Sequence, residues 1–286
     1  MAANSTKTLM RHYASVSELR EAVSAGMLID NNEHNRNRHM QRGCSKSWHG
    51  IEGGAAAVKL AMINGYQEGE AMIKTFHDAM AVKLPRAVGI ARKRVRSDQG
   101  DELDIHAVNR GDLSRSWESC KRQLKTGNGA LRLCIDIGGN AAQNATALAW
   151  RGVAGICLSE IMRKAGYNIE VVACCAVSDF LRHGKSNGVV SVTVKARNAT
   201  TDIAQLAATV ALTGFFRVYM FSALIKLAED AGKEADSSLG HYLESSGVMP
   251  AAPSVTQLFV AGSVMNEASA IKWVKEALFL LQGVRL

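Results

Sequence analysis

The alternation of apolar and polar positions changes its rhythm near Gly129, and the clearest pattern lies beyond that point. Short continuous apolar runs alternate there with longer stretches in which apolar residues recur every three or four positions. Short apolar runs are typical of strands buried on both faces, and the longer stretches are typical of helices. The predicted strands are ALRLCID, YNIEVVACCAV, VVSVTVKAR and VTQLFVAG, and the predicted helices begin at NATALAW, IAQLAAT and NEASAIK.

Strands that alternate with helices in this way predict an α/β fold with a mainly parallel central sheet and flanking helices over residues 129–286. Residues 1–128 have a different pattern. SVSELREAVSAG has helical spacing, and residues 53–84 predict two helices joined near Gly65. We therefore expect a mainly helical N-terminal region, 1–128, followed by a Rossmann-like α/β domain, 129–286.

Within the N-terminal region, segment 86–104 carries a block of basic residues directly followed by a block of acidic ones. The basic residues are Arg92, Lys93, Arg94 and Arg96, and the acidic residues are Asp98, Asp101, Glu102 and Asp104. Two interpretations stay open. Either the two blocks neutralise each other and face water, or the basic block contacts a phosphate backbone.

Composition and charge narrow the class of protein. A chain of 286 residues with 47% hydrophobic residues and three prolines is typical of an ordinary globular protein. Its net charge of +8 favours acidic partners, nucleic acid among them. None of the six cysteines forms a CxxC pair, which disfavours a zinc site. Cys134, Cys174 and Cys175 lie in apolar runs that are typical of buried strands, which indicates free thiols and a reducing compartment.

Localisation follows from the apolar segments. The N-terminus MAANSTKTLMRHY lacks the apolar run of a signal peptide. The most apolar stretch, 203–225, is interrupted by Arg217, so we expect a buried helix and no membrane partner. These features predict a cytoplasmic protein.

Candidate site residues lie where the predicted strands end, because ligands of parallel sheets bind outside the carboxyl ends of the strands. These positions are Asp136, Asp179, Thr200 to Asp202, and Ser263. The segment IGGNAAQNA lacks the third glycine of GxGxxG, and no Walker lysine follows it. A dinucleotide site and a P-loop are therefore disfavoured.

The order of these elements resembles a von Willebrand factor A domain, also called a metal-ion-dependent adhesion fold. In that family a DxSxS motif closes the first strand, a threonine comes from a later loop, and an aspartate ends a further strand. Asp136, Gly138 and Asn140 stand at the DxSxS positions, and NATTDIAQL is similar to the threonine loop. The run LFVAGSVM resembles the strand that normally ends in TDG, and its late aspartate is absent.

The resemblance implies a Mg²⁺ or Mn²⁺ site and recognition of a protein partner. Asp136, Asn140, Thr201 and Asp202 carry the oxygen atoms that such a hard cation prefers. Gly138 and Ser263 would border the partner contact. An alternative stays open for Asp136, which would instead cap the following helix and accept hydrogen bonds from the amides of residues 138–140.

No constellation of a nucleophile, a base and an orienting group is evident, so enzymatic activity is not indicated. The stretch GDELDIHAVNRGDLSRSW also resembles proteins of unknown role encoded by tailed bacteriophages and prophages. This resemblance implies a phage or prophage origin and the cytoplasm of a bacterial host cell. The favoured hypothesis is a partner-binding or scaffold protein that uses the loops at the carboxyl ends of the strands. The alternative is a nucleic-acid-binding protein that uses Arg92, Lys93, Arg94 and Arg96.

Overall fold

A computed structural model gives the conformation of most of the chain. The residues that it describes are 6–24, 45–81, 92–97, 102–112, 114, 116–122, 129–140, 143–183, 185–197, 199–236, 239, 241–252, 255–260 and 262–283.

Nine strands are present in these ranges: β1 Lys7–Tyr13, β2 Arg92–Ser97, β3 Glu102–Leu103, β4 Trp117–Arg122, β5 Ala130–Asp136, β6 Asn168–Ser178, β7 Ser186–Lys195, β8 His241–Leu243 and β9 Thr256–Val260. The α-helices are α1 Val16–Ser24, α2 Lys46–His49, α3 Gly54–Asn64, α4 Gln67–Ala81, α5 Ile105–Asn109, α6 Ala145–Lys164, α7 Ile203–Leu206, α8 Thr213–Phe215, α9 Phe221–Asp230 and α10 Glu267–Gly283. Two π-helical turns, π1 Ala207–Ala211 and π2 Phe216–Met220, and a 3-10 turn, Ser245–Gly247, complete the set.

The protein is an α/β protein with a mixed, mostly parallel central sheet of six strands flanked by helices. The strand order is β1-β7-β6-β5-β9, and β8 pairs with β6 at its carboxyl end. Strands β5, β6 and β9 are parallel to one another, as predicted. Strand β7 runs antiparallel to β6, because the short connection from Asp179 to Lys185 turns the chain back directly.

The N-terminal region contributes a strand that the sequence analysis did not predict. β1 pairs in parallel with β7, so that Lys7 lies opposite Ser186 and Tyr13 opposite Val192. Its residues alternate, and Tyr13 is fully buried whereas Met10 is exposed. Residues 1–128 are therefore not purely a helical extension, since their first strand forms an edge of the central sheet.

Helix α6 packs across the sheet and is buried along most of its length. Its close approach to π1 depends on Gly152, where a Cβ atom would lie 2.2 Å from the carbonyl oxygen of Val210. The two helices predicted for residues 53–84 are present as α3 and α4, which meet at Gly65. Both helices pack against π1.

No helix in the described ranges is both long and apolar enough to cross a membrane alone. The segments 203–211 and 213–230, bent by 58°, would pass that test only as a pair and only by length and composition. Residues 206–217 are buried inside the protein, which confirms the predicted burial. The segment is not the single helix that was predicted, because the backbone is extended at Leu212, between π1 and α8.

Candidate functional site

A buried arginine connects two loops at the carboxyl ends of the strands. Arg151 lies in the second turn of α6 and has no exposed surface. Its Nη1 donates to the carbonyl oxygens of Asp136 (3.2 Å) and Gly138, and its Nη2 donates to the carbonyl oxygen of Gly262 at 2.9 Å. One side chain thereby fixes the loop after β5 and the loop after β9.

Asp136, the last residue of β5, connects a third segment to the same place. Its Oδ1 accepts from Gly138 N at 3.0 Å, and its Oδ2 accepts from Ser245 N at 2.8 Å and from Tyr242 Oη at 3.1 Å. Tyr242 belongs to β8, and Ser245 begins the 3-10 turn after it. The Arg151 guanidinium also lies over the Tyr242 ring, 5.5 Å from its centroid.

The Asp136 carboxylate at the centre of this network is shielded from water. Burial raises the pKa of Asp136, whereas the hydrogen bonds from Ser245 and Gly138 and the charge of Arg151 oppose that rise. Burial, followed by the charge of Asp136, raises the pKa of Tyr242. The phenol therefore stays protonated and acts as a donor to Asp136.

The third segment is also attached directly to the loop after β9. Glu244 Oε1 accepts from Gly262 N at 3.1 Å. The side chains of Asn140, Ser263 and Glu244 are exposed above the buried network. We call the three loops 138–140, 241–247 and 262–266 together the carboxyl-end platform.

A second buried arginine attaches the helical N-terminal region to this end. Arg217 in π2 is 2% exposed, and its Nη2 donates to the carbonyl oxygen of Gln143 at 3.0 Å. Its Nη1 donates to the carbonyl oxygen of Trp48, and its guanidinium stacks on the Trp48 ring, 3.5 Å from the centroid. Helix α2 is thus fixed beside the start of α6.

The predicted metal ligands do not come together. Asp136 and Asn140 lie at the carboxyl end of β5, whereas Thr201 and Asp202 follow β7, whose antiparallel direction carries them to the opposite end of the sheet. Thr201 lies beside Glu160. That glutamate is 15 residues beyond the start of α6, a distance of roughly 22 Å along the helix axis. Asp202 instead caps α7 by accepting from Gln205 N at 3.0 Å.

The predicted metal set therefore does not fit this geometry. Both oxygens of Asp136 accept from N–H and O–H donors, and Asn140 is exposed. Among the described residues no group of three histidine, cysteine or acidic side chains is placed to hold a metal ion. The alternative interpretation of Asp136 is correct only for the amide of Gly138, which donates to Asp136 Oδ1. The amide of Asn140 donates to Gln143 Oε1 at 3.0 Å, and Asn144 caps α6.

The two residues predicted to border a partner differ in exposure. Ser263 is exposed on the platform. Gly138 is buried, and a Cβ atom there would lie 3.2 Å from Asp136 Oδ1 and 3.3 Å from Tyr242 Cδ2. Gly138 therefore supports the platform from beneath through its carbonyl and amide groups.

The basic segment lies outside the central sheet, in a separate three-stranded sheet of order β2-β4-β3. Strand β2 holds Arg92, Lys93, Arg94 and Arg96 and pairs only with β4 in the described residues. Glu102 in β3 lies on the far side of β4, and Asp104 accepts from Ala107 N at the start of α5. Asp98 and Asp101 fall outside the described residues.

Sequence analysis missed the residues that organise the platform, above all Arg151 and Tyr242. One signal was available: Arg151 is the only charged residue between Ala145 and Ser159, in an otherwise apolar helix. A lone charge of this kind is expected to be buried with partners or to serve a function. No comparable signal identified Tyr242, because β8 has only three residues.

A comparison with known proteins assigns most of the chain to one family. A family model described as a domain of unknown function, DUF7192, matches residues 2–271. The matched range includes β1, the three-stranded sheet and the platform. No curated protein and no solved structure matches the chain.

Proposed function

The chain belongs to the DUF7192 family, whose function is not established, and we propose that it is a partner-binding protein that recognises another protein through the carboxyl-end platform. The observation that carries the proposal is the buried Arg151, which donates to the carbonyl groups of both Gly138 and Gly262. A surface whose loops are fixed in advance loses little conformational entropy when a partner binds.

The construction of the platform favours recognition over catalysis. Its ionisable centre, Asp136, is 1% exposed, and its oxygens are occupied by donors from the protein itself. A general acid or base must reach the proton that it transfers, and Asp136 has no such access. The exposed side chains are instead amides, hydroxyls, an imidazole and a carboxylate, which are suited to hydrogen bonding with a partner. They belong to Asn140, Asn266, Ser246, Ser263, His241 and Glu244.

The proposal includes the finer assignment to a von Willebrand factor A-like domain. Support comes from the position of Asp136 at the end of β5, directly before a long buried helix. A phage or prophage origin and a bacterial cytoplasmic location also belong to the proposal. Within the part of the chain that the structure describes, four cysteines are free and buried, which supports a reducing environment. A divalent cation is not part of it, because the four predicted ligands lie at two ends of the sheet.

Site-specific photo-crosslinking tests this proposal. A photoreactive amino acid is introduced at Asn140 or Ser263 on the platform, and at Lys59 or Glu276, which are exposed on α3 and α10, as matched controls. After illumination in cells that naturally contain the protein, we expect one adduct of the same mass from both platform positions and none from the controls. Adducts of equal yield from all four positions, or none from the platform, would contradict the proposal.

A further inference from the structure

The three-stranded sheet brings basic residues from two strands into register. Arg92 lies opposite Arg122, and Lys93 lies opposite Lys121. Basic residues of β2 therefore have basic partners in β4. The sequence pattern of residues 86–104 alone did not indicate this, because the partners lie outside that segment. The three strands hold six basic residues and two acidic ones: Arg92, Lys93, Arg94, Arg96, Lys121 and Arg122, with Glu102 and Glu118.

The two acidic residues lie together at one end of this sheet. Glu118 is opposite Arg96 on one side and opposite Glu102 on the other. At the other end, by contrast, residues of like charge are register partners in β2 and β4. Directly opposed like charges destabilise a sheet unless an anion neutralises them.

Alternation along the strands orders these positions further. Every second residue of a strand shares one face, so positions 92, 94, 96 and 122 share a face, whose acidic end holds positions 118 and 102. Positions on one face repeat about every 7 Å along a strand. The backbone of a nucleic acid also presents its negative charges at a regular spacing, which an acidic protein surface does not.

We propose that the antiparallel ribbon of β2 and β4 binds the phosphate backbone of double-stranded DNA. A two-stranded β-ribbon fits the major groove of B-form DNA, and arginine and lysine are the residues that contact its phosphates. The duplex is favoured over single strands because the basic part of the ribbon, 92–96 with 120–122, holds no aromatic residue on which bases could stack, and Trp117 lies at the acidic end. This site is separate from the carboxyl-end platform and does not depend on the function proposed for it.

Fluorescence anisotropy with a labelled DNA duplex, titrated with the full-length protein over a salt series, tests the proposal. The test variant is Arg92→Gln/Arg94→Gln/Arg96→Gln. The matched control, Lys59→Gln/Lys272→Gln/Lys275→Gln, removes the same charge from exposed positions on α3 and α10. A site that neutralises about six phosphates loses roughly a thousandfold in affinity between 50 and 200 mM salt.

For the test variant we expect at least a tenfold loss of affinity at low salt. We also expect the slope of log affinity against log salt to become shallower by about 2.7, since each phosphate contact contributes about 0.9. The control variant should bind like the wild type. An equal loss in both variants would overturn the proposal, because net charge alone would then account for binding.

Two further arms distinguish a duplex site from a disturbed sheet and from a general affinity for anions. The charge-preserving variant Arg92→Lys/Arg94→Lys/Arg96→Lys should retain most of the binding. Its failure to bind would overturn the proposal, because a disturbed sheet would then account for the loss in the glutamine variant. Single-stranded DNA of the same length and heparin serve as competing anions. If heparin or the single strand binds as tightly as the duplex, or if no duplex binding is detected at low salt, the proposal is wrong.

Discussion

Arg151 and Gly262 are 111 residues apart in sequence, and the arginine Nη2 donates to the glycine carbonyl oxygen at 2.9 Å. The bond fixes the loop after β9 to the side chain of a residue in α6, the buried helix that packs across the sheet. The Arg151 guanidinium also holds the loop after β5, so two of the three loops of the carboxyl-end platform depend on this one residue.

The first prediction concerns the removal of that guanidinium. Arg151→Met should lower the free energy of unfolding by about 3–5 kcal/mol, because the Asp136 carboxylate stays buried without its nearby cation and three carbonyl groups lose a donor. Urea unfolding followed by circular dichroism measures the change. Arg182→Met is the matched control, since Arg182 pairs with Glu234 on the exposed surface. It should unfold like the wild type, and an equal effect of the two substitutions would refute the role of Arg151.

The second prediction concerns the pH dependence that Asp136 confers. Burial raises the pKa of Asp136 above the usual value of 3.8. A raised pKa in the folded state means that the protonated form favours folding. The contribution of Asp136 to stability is therefore complete below pH 3.8 and is lost as the pH rises through the folded-state pKa.

Comparison with Asp136→Asn isolates this contribution, because asparagine does not titrate. The free energy of unfolding of the wild type, measured relative to the variant, should fall as the pH rises above 3.8. Urea unfolding of both proteins between pH 3.5 and 8 gives the difference directly. If the relative stability of the wild type rises with pH instead, the hydrogen bonds from Ser245 and Gly138 outweigh burial and the pKa is lowered.

The third prediction concerns the contact between α6 and π1. Gly152→Ala gains about 1 kcal/mol of helix propensity, but its Cβ atom would lie 2.2 Å from the carbonyl oxygen of Val210. A backbone atom cannot move aside as a side chain can, so we expect a net loss of about 2 kcal/mol in urea unfolding. The matched control is Gly247→Ala, where no atom lies within 4 Å of the added methyl group. If Gly152→Ala instead raises the free energy of unfolding, α6 and π1 can move apart at little cost, and the prediction is wrong.

Much of the central sheet could be predicted because each element has a local signature. The apolar runs of β5, β6, β7 and β9 and the spacing of α6 are readable within a few residues of sequence. Strand β1 was missed, because it is a partly exposed edge strand with little apolar character. Its partner β7 lies about 180 residues away, and that pairing leaves no local trace.

The candidate site was harder to predict, because it depends on the direction of each strand. Thr201 and Asp202 follow β7, and a parallel β7 would have brought them to the end where Asp136 lies. The short turn after β6 makes β7 antiparallel and places them at the other end. The residues that do meet Asp136, namely Tyr242 and Ser245, come from a short strand and its following turn, and no periodicity indicates the pairing of that strand with β6.

The last prediction concerns divalent metal. A ligand that binds only the folded state raises the melting temperature by mass action. Tyr242, Ser245 and Gly138 already donate to the Asp136 carboxylate, and Arg151 places a positive charge beside it. We therefore expect millimolar Mg²⁺ or Mn²⁺ to leave the melting temperature unchanged relative to EDTA.

Asp136→Ala provides the matched comparison for this experiment. The variant should melt at a lower temperature than the wild type in every buffer, because the three donors and Arg151 lose their buried acceptor or counter-charge. Its melting temperature should be equally insensitive to metal. If Mg²⁺ or Mn²⁺ stabilises the wild type and not the variant, Asp136 is a metal ligand after all. The loops would then have to rearrange so that the Asp136 carboxylate becomes accessible to the cation. The bound cation would then form part of the partner-binding surface.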